Sequence, residues 1–179
     1  MNARLPWLTL AVFAVTSLVT GAMLVRPEIG TALQRDPQIL EGEWWRFVTT
    51  WLVLTDGWVQ IVVNSLGLLI FGTLVERRHG RVWWAVAYVV AGLAGEIAGI
   101  FWQPVGGGNS VAICGLIGLF AVGLTTRTRL PAPARWGSFG LWGALGLWLT
   151  ARADIHGAAL LAGFAVGGAS LLIHRPEAQ

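Results

Sequence analysis

A serine and a histidine each stand at the start of a strongly apolar segment of this chain. Ser110 follows the glycine run Gly106–Gly108, and His156 opens a later apolar segment. Hydroxyl and imidazole groups are costly to place in a bilayer, because no water is available there to hydrogen-bond them. A serine next to a base is a nucleophile for acyl transfer. If the fold brings these two side chains together, they have the chemistry to hydrolyse peptide bonds.

The composition predicts an all-α integral membrane protein with a single domain over residues 1–179. Hydrophobic residues make up 55% of the chain and charged residues 12%, whereas soluble domains carry about 25% charged residues. The mean hydropathy is +0.67 and the pI is about 10.4. All twelve basic residues are arginines in short loops, where they act as topology signals. The basic pI is therefore no sign of nucleic-acid binding, and the lipid bilayer is the expected surrounding.

Apolar segments of suitable length predict a bundle of six transmembrane helices. A span needs roughly 17–25 residues, and the fifth segment, with about 15, predicts uncertain ends or a locally thin bilayer. The six predicted spans are Pro6–Val25, Trp58–Val75, Val82–Trp102, Ser110–Thr126, Trp136–Thr150 and Ile155–Ile173.

The charged loops alternate in sign along the chain and predict the orientation of the bundle. The amino terminus, the loops after spans two and four, and the carboxyl tail are basic. The Arg26–Gly57 loop carries three arginines against five carboxylates, a net charge of −2. The positive-inside rule then places both termini in the cytoplasm, and we expect a bacterial plasma membrane. Ser110 and His156 start their spans from the outer side, whereas His79 and His174 lie on the cytoplasmic side.

Three motifs precede the serine. The segment Glu43–Thr49 contains a Trp-Arg pair in the first outer loop. Asn64 lies within span two, and Glu76 ends that span just before a basic loop. Each of these motifs is weak alone, but their order along the chain is informative.

Two further motifs contain the serine and the histidine themselves. Gly108-Asn109-Ser110 has the form Gly-x-Ser. The segment that begins at His156 follows the pattern His-x-x-Gly-x-x-x-Gly, with Ala159 in place of the first glycine. From about Glu43 to Gly167, these motifs and the six predicted spans resemble the rhomboid family of intramembrane serine proteases.

The resemblance implies a six-helix fold and a catalytic dyad, with no third member. Ser110 would be the nucleophile, and His156 would be the general base and later the acid. Small residues would let spans four and six approach closely, as such residues do in membranes. These residues are Gly115, Gly118, Ala159 and Gly163. The implied substrates are single-span membrane proteins, and no metal or organic cofactor is implied.

A polar stripe on span two offers donors for an oxyanion. Asp56, Gln60 and Asn64 are spaced four residues apart, so they share one face of a helix. The amides of Gln60 and Asn64 can donate to a developing negative charge. The backbone N–H of Ser110 is a further donor, because amides in the first turn of a helix lack intrahelical acceptors.

Four positions depart from the rhomboid pattern. Val111 replaces the glycine that usually follows the serine, and its branched side chain is expected to narrow the approach. Gln60 stands where a histidine is commonest, and Cys114 stands where an aromatic residue commonly packs against the histidine. In a second register of the histidine motif, Leu160 takes the histidine's place and leads to two glycines, Gly163 and Gly167.

These departures leave two further functions open. With Leu160 rather than His156 beside the serine, the protein would bind transmembrane clients without cutting them. Alternatively, Glu96, Asn64 and Gln60 could line the path of a small transporter, since carboxylates inside membranes are rare and usually functional or paired.

Overall fold

Eight α-helices make up most of the part of the chain that the computed structural model describes, residues 5–127 and 130–173. The topology signals at Arg4, Arg129 and Arg175, together with His174, lie outside these residues. Short 3₁₀ turns occur at Pro37–Glu41 and Thr50–Leu52, and a π-helical turn at Leu68–Gly72 joins α4 to α5. The helices are α1 (Trp7–Val25), α2 (Glu28–Leu33), α3 (Arg46–Thr49), α4 (Gly57–Gly67), α5 (Thr73–Trp102), α6 (Ser110–Arg127), α7 (Ala132–Ala151) and α8 (Ile155–Ile173).

The predicted spans one, four and six agree with α1, α6 and α8 to within one residue at each end. Spans two and three correspond to the stretch Gly57–Trp102. This stretch is interrupted at Gly80, whose φ of 83° and ψ of 170° are not helical. Only glycine adopts this region readily, because a Cβ would clash with the backbone. Gly80 thus separates the two predicted spans.

The helix at the fifth predicted span is longer than its apolar segment, so the expected uncertainty lies in its ends. The helix α7 has 20 residues and starts at Ala132, four residues before the predicted start at Trp136. Twenty helical residues extend about 30 Å, which is the thickness of a bilayer core. The sequence pattern missed the first turn because Pro131, Pro133 and Arg135 make it look like a loop, whereas proline is tolerated there.

Within the described residues the structure is all-helical, as predicted, apart from one antiparallel bridge between Arg35 and Gly106. Three described helical stretches are long and apolar enough to cross a membrane: Trp7–Val25, Gly57–Trp102 and Ile155–Ile173. Ser110–Thr126 is a shorter apolar helix. The all-α bundle is therefore observed, and the count of six spans stays a prediction.

Glycines bring the backbones of α6 and α8 almost into contact. A Cβ on Gly118 would lie only 2.6 Å from the carbonyl oxygen of Leu160. A Cβ on Gly163 would overlap the backbone of Gly115. The predicted role of Gly118 and Gly163 is confirmed, since a side chain on either would meet the backbone of the other helix. A Cβ on Gly115 would instead meet Ala87 and Ala91, so the side of this glycine faces α5.

The fourth small residue, Ala159, packs in a different direction. It is fully buried and lies beside Gly95 of α5. A Cβ built on Gly95 would be 3.4 Å from the Cβ of Ala159. The prediction that Ala159 serves the contact with α6 is therefore incomplete, because α8 packs against α5 as well.

The start of α1 is fixed by a carboxylate from α5. Glu76 accepts hydrogen bonds from the backbone N–H groups of Leu8 and Thr9, at 3.0 and 2.8 Å, and from the Thr9 hydroxyl, at 2.8 Å. The first amides of a helix have no intrahelical acceptor. Glu76, which the sequence pattern singled out, thus caps a different helix from its own.

The contact between α6 and α8 can be tested with two alanine substitutions on α8. We expect Gly163→Ala to lower the free energy of unfolding by about 1–3 kcal/mol, because the new methyl group forces the backbones apart. Gly168→Ala is the matched control, since nothing lies within 4 Å of a Cβ at Gly168. Unfolding in a denaturing detergent measures both. Equal stability of the two variants would contradict the close packing.

Candidate active site

Ser110 and His156 lie side by side at one end of the bundle. Their helices, α6 and α8, begin at Ser110 and Ile155, so both side chains belong to a first helical turn. The Nε2 atom of His156 is 2.8 Å from the Oγ atom of Ser110, which is hydrogen-bonding distance. This arrangement has the geometry of a nucleophile and its general base.

Leu160 occupies a different environment from His156, although both lie on one face of α8. It is 1% exposed, and its carbonyl oxygen packs against Gly118 of α6. In the structure His156 therefore stands beside the serine, and the register that places Leu160 there does not occur. The two registers differ by one helical turn of α8, and the position at which α8 contacts α6 decides between them. The spacing of the glycines alone does not determine that position.

Val111 does not narrow the approach to the serine, so that expectation is wrong. Its side chain is 1% exposed and packs against Gly95, where a Cβ on the glycine would lie 2.8 Å away. The glycine on α5 thus accommodates the branched side chain, and the bulk of Val111 is directed into the core.

A cleft of about 460 Å³ opens beside the serine and the histidine. The polar residues that line it include all four that the sequence singled out as site residues, and Asp56 and two valines complete the lining. The four are Gln60, Asn64, Ser110 and His156. The stripe on α4 therefore faces the same space as the ends of α6 and α8.

Asn64 carries an unused donor in this cleft. Its side chain is 5% exposed, and its Nδ2 atom has no hydrogen-bond partner among the described residues. A buried amide without a partner costs about 1–3 kcal/mol. The Nδ2 atom is itself buried beside Gly108, so the cleft residue Asn64 holds a donor that the described residues leave unsatisfied.

Gln60 is already committed to other partners. Its Nε2 atom donates to the carbonyl oxygen of Gly107 at 2.8 Å and to Asp56 at 3.1 Å. An amide nitrogen carries two hydrogens, so both are used in this state. The geometry gives Gln60 the task of holding the loop before the serine, whereas the Nδ2 group of Asn64 has no partner among the described residues.

The glycine-rich loop before Ser110 is fixed by several segments. Arg35 and Gly106 exchange two backbone hydrogen bonds, at 2.8 and 3.1 Å. The N–H of Gly108 donates to the carbonyl oxygen of Thr50 at 2.9 Å. Gly108 has a φ of 146°, and a Cβ there would lie 2.6 Å from the Gln60 amide nitrogen. Glycine is thus required where the loop passes over α4.

Glu96 pairs with Arg35, a partner that sequence reasoning missed. The Nη1 atom of Arg35 is 2.6 Å from Oε2 of Glu96, and the two side chains are 4% and 1% exposed. The Nε atom of Arg35 also donates to the carbonyl oxygen of Gln103 at 2.8 Å. Gly99 makes room, since a Cβ there would lie 2.7 Å from that Nε atom. This pairing favours a structural role for Glu96 over a role in transport.

A signal for this pair was present in the sequence. Arg35 lies in a loop predicted to be outside, where the positive-inside rule does not call for an arginine, and Glu96 is an isolated carboxylate within a span. Buried charges are normally paired. The same reasoning applies to Arg46, which pairs with Glu43 and also donates to two backbone carbonyl oxygens.

The second bond of His156 was also missed. Its Nδ1 atom is 2.6 Å from Oδ1 of Asp154, and its backbone N–H donates to the same oxygen at 2.9 Å. Asp154 immediately precedes α8. A carboxylate two residues before a histidine that opens a helix is the signal that points to this contact.

Comparison with known proteins identifies the family. The Rhomboid domain family model matches residues 41–176. The chain belongs to the rhomboid family. Rhomboid protease GluP of Bacillus subtilis (strain 168) is 32% identical over 122 residues, which cover 67% of this chain and 24% of GluP. RHOMBOID-like protein 9, chloroplastic, of Arabidopsis thaliana is 35% identical over 86 residues, which cover 47% of this chain and 19% of that protein.

Membership in the rhomboid family agrees with the apolar helices of the bundle and marks an integral membrane protein. The chain spans about a quarter of the length of GluP. The comparison therefore concerns only part of that protein. Among the described residues, no group of three or more His, Cys, Asp or Glu side chains could hold a metal ion.

The pair of Arg35 and Glu96 can be tested by a double-mutant cycle. Arg35→Met or Glu96→Met alone is expected to destabilise the protein by about 3 kcal/mol, because each leaves a buried charge without its partner. The double variant should lose clearly less than the sum of the two. Unfolding in a denaturing detergent measures all three, and strictly additive losses would contradict a direct pairing.

Proposed function

We propose that this rhomboid is an intramembrane serine endopeptidase with Ser110 as nucleophile and His156 as general base. The observation that carries the proposal is the distance of 2.8 Å between Oγ and Nε2 beside a cleft that Gln60 and Asn64 also line. Membership in the rhomboid family supports the same reaction class.

The first half of the reaction forms an acyl-enzyme. The Oγ atom of Ser110 attacks the carbonyl carbon of the scissile peptide bond, and its proton passes to Nε2 of His156. The bond between carbon and nitrogen then breaks, and the leaving nitrogen takes the proton from Nε2. The amine product leaves, and the acyl part of the substrate stays attached to Ser110 as an ester.

Two donors support the negative oxygen of the tetrahedral intermediate. The free Nδ2 group of Asn64 is one, and the backbone N–H of Ser110 in the first turn of α6 is the other. Donors that are already oriented in a low-dielectric site stabilise such an oxygen strongly, because they need no reorganisation during the reaction.

The second half of the reaction needs water at membrane depth. A second cavity of about 100 Å³ adjoins Ser110 and is lined by Arg35, Gln60 and Glu96 among others. One water needs only about 10–15 Å³ of such volume and a few polar partners. A water from this cavity gives a proton to His156 and attacks the ester. The Ser110 oxygen takes that proton as the acid product leaves.

The substrates that fit this site are single-span membrane proteins. An intact helix hides its carbonyl groups in hydrogen bonds, so segments that unwind readily are favoured. With both termini in the cytoplasm, cleavage takes place near the outer face of the membrane, where the glycine-rich loop opens to water. The basic loops on the other side of the bundle support this orientation.

The nucleophile and base can be tested with a fluorescent fluorophosphonate probe in detergent. Wild-type protein should be labelled, whereas Ser110→Ala and His156→Ala should each reduce labelling to background, because both residues are needed to form the bond to phosphorus. Unfolding measurements on the same samples verify that the variants are folded. A wild-type protein that is folded but unlabelled would indicate a client-binding protein without protease activity.

The role of Asn64 can be tested by its effect on turnover. We expect Asn64→Ala to lower kcat for a single-span reporter about 10²–10³-fold, as for the loss of one oxyanion donor. KM should change little, because the ground-state carbonyl makes a weaker bond. Ser65→Ala, on the same helix outside the cleft lining, is the control. A loss confined to KM would contradict an oxyanion role.

A further inference from the structure

The carboxylate of Asp154 makes two hydrogen bonds to one residue. Its Oδ1 atom lies 2.9 Å from the backbone N of His156 and 2.6 Å from the ring Nδ1. The other ring nitrogen, Nε2, is 2.8 Å from Oγ of Ser110. The three side chains therefore form one continuous line of contacts from carboxylate to imidazole to hydroxyl.

Helix capping accounts for only one of these bonds. Asp154 immediately precedes α8, and an aspartate there commonly accepts from the N–H two residues on. The bond to the imidazole ring contributes nothing to capping. It requires in addition that the ring of His156 turn back towards the start of its own helix while its far side reaches α6.

The backbone of the turn between α7 and α8 holds the carboxylate in place. The N–H of Asp154 donates to the carbonyl oxygen of Leu149 at 2.9 Å, and its own carbonyl oxygen accepts from Gly157 at 3.0 Å. Gly157 presses against the end of α7, where a Cβ would lie 2.5 Å from the Thr150 hydroxyl. Asp154 is thus fixed from both sides by main-chain contacts.

We infer that Asp154 is a positioning residue for catalysis, so that the site is a Ser110–His156–Asp154 triad. The inference rests on the proposed function. An ionised carboxylate only accepts hydrogen bonds, so the contact requires the proton of the neutral imidazole to be on Nδ1. The Nε2 atom is then the acceptor that the Ser110 hydroxyl needs.

During acylation the carboxylate keeps the same bond. The proton of Ser110 moves to Nε2, the proton on Nδ1 stays where it is, and the negative charge of Asp154 stabilises the imidazolium that forms. No proton is transferred to Asp154. The carboxylate also orients the ring. In the rhomboid pattern an aromatic residue commonly packs against the histidine, and Cys114 replaces that residue in this chain.

The expected effect is moderate because the pair is partly open to solvent. The side chains of His156 and Asp154 are 34% and 31% exposed, and water weakens interactions between charges. Loss of a buried triad carboxylate costs about 10⁴-fold in rate. For Asp154 we expect a loss of roughly 10–100-fold, smaller than in a buried triad for that reason.

The test uses Asp154→Asn and Asp154→Ser, which both preserve a good helix cap but remove the charge. The rate of fluorophosphonate labelling is measured against probe concentration in detergent. We expect the maximal rate to fall about tenfold or more, with the half-saturating concentration and the unfolding transition unchanged. Labelling of both variants at the wild-type rate would overturn the inference.

Nitrogen-15 NMR of histidine-labelled protein supplies a readout that capping alone does not change. Signals of His156 are identified by their loss in His156→Gln. In wild type we expect the neutral ring to carry its proton on Nδ1, and in Asp154→Asn to lose this preference. A slower rate with an unchanged ring tautomer would also overturn the inference, because it would assign Asp154 a capping role only.

Failure of the proposed function gives a different result. If Ser110→Ala is labelled as fast as wild type, Ser110 is not the nucleophile, and the triad fails with it. If Ser110→Ala and His156→Ala are unlabelled while Asp154→Asn keeps the full rate, the protease proposal stands. Only the inferred role of Asp154 is then rejected.

Discussion

The close packing of α6 against α8 is the contact on which the site depends. Lipid tails are as apolar as leucine, so helices in a bilayer associate mainly by van der Waals contact rather than by the hydrophobic effect. Glycines on both helices allow that contact to reach the backbone atoms. Because Ser110 and His156 lie in the first turns of these two helices, the same contact brings a hydroxyl and an imidazole within 2.8 Å.

The polar groups around the serine show which interactions are already satisfied and which are left open. Arg35 neutralises Glu96 and joins the first loop to the glycine-rich loop, and Gln60 uses its amide hydrogens on that loop and on Asp56. The Nδ2 group of Asn64 stays without a partner among the described residues. A donor left open beside a nucleophile is the feature that electrostatic stabilisation of an oxyanion requires.

Departures from the rhomboid pattern are easier to interpret once their neighbours are known. Val111 looked like an obstacle to the serine, but Gly95 on α5 accommodates it, so a large residue on one helix is matched by a small one on the next. Such volume exchange conserves packing. In the same way, Asp154 supplies a contact to the histidine ring at a site where the aromatic residue of the pattern is replaced by Cys114.

The sequence by itself determined the class of fold and indicated which hydroxyl and which imidazole could meet. Long apolar segments predict helices, the placement of Ser110 and His156 at the starts of two of them predicts that both lie at one end, and small residues predict close contact. Only the tertiary structure decided that His156 rather than Leu160 meets the serine, that Arg35 pairs with Glu96 from 61 residues away, and that Asp154 holds the imidazole. These outcomes depend on how far each helix is rotated and shifted against its neighbours. That fit involves side chains from distant parts of the chain, and no local pattern encodes it.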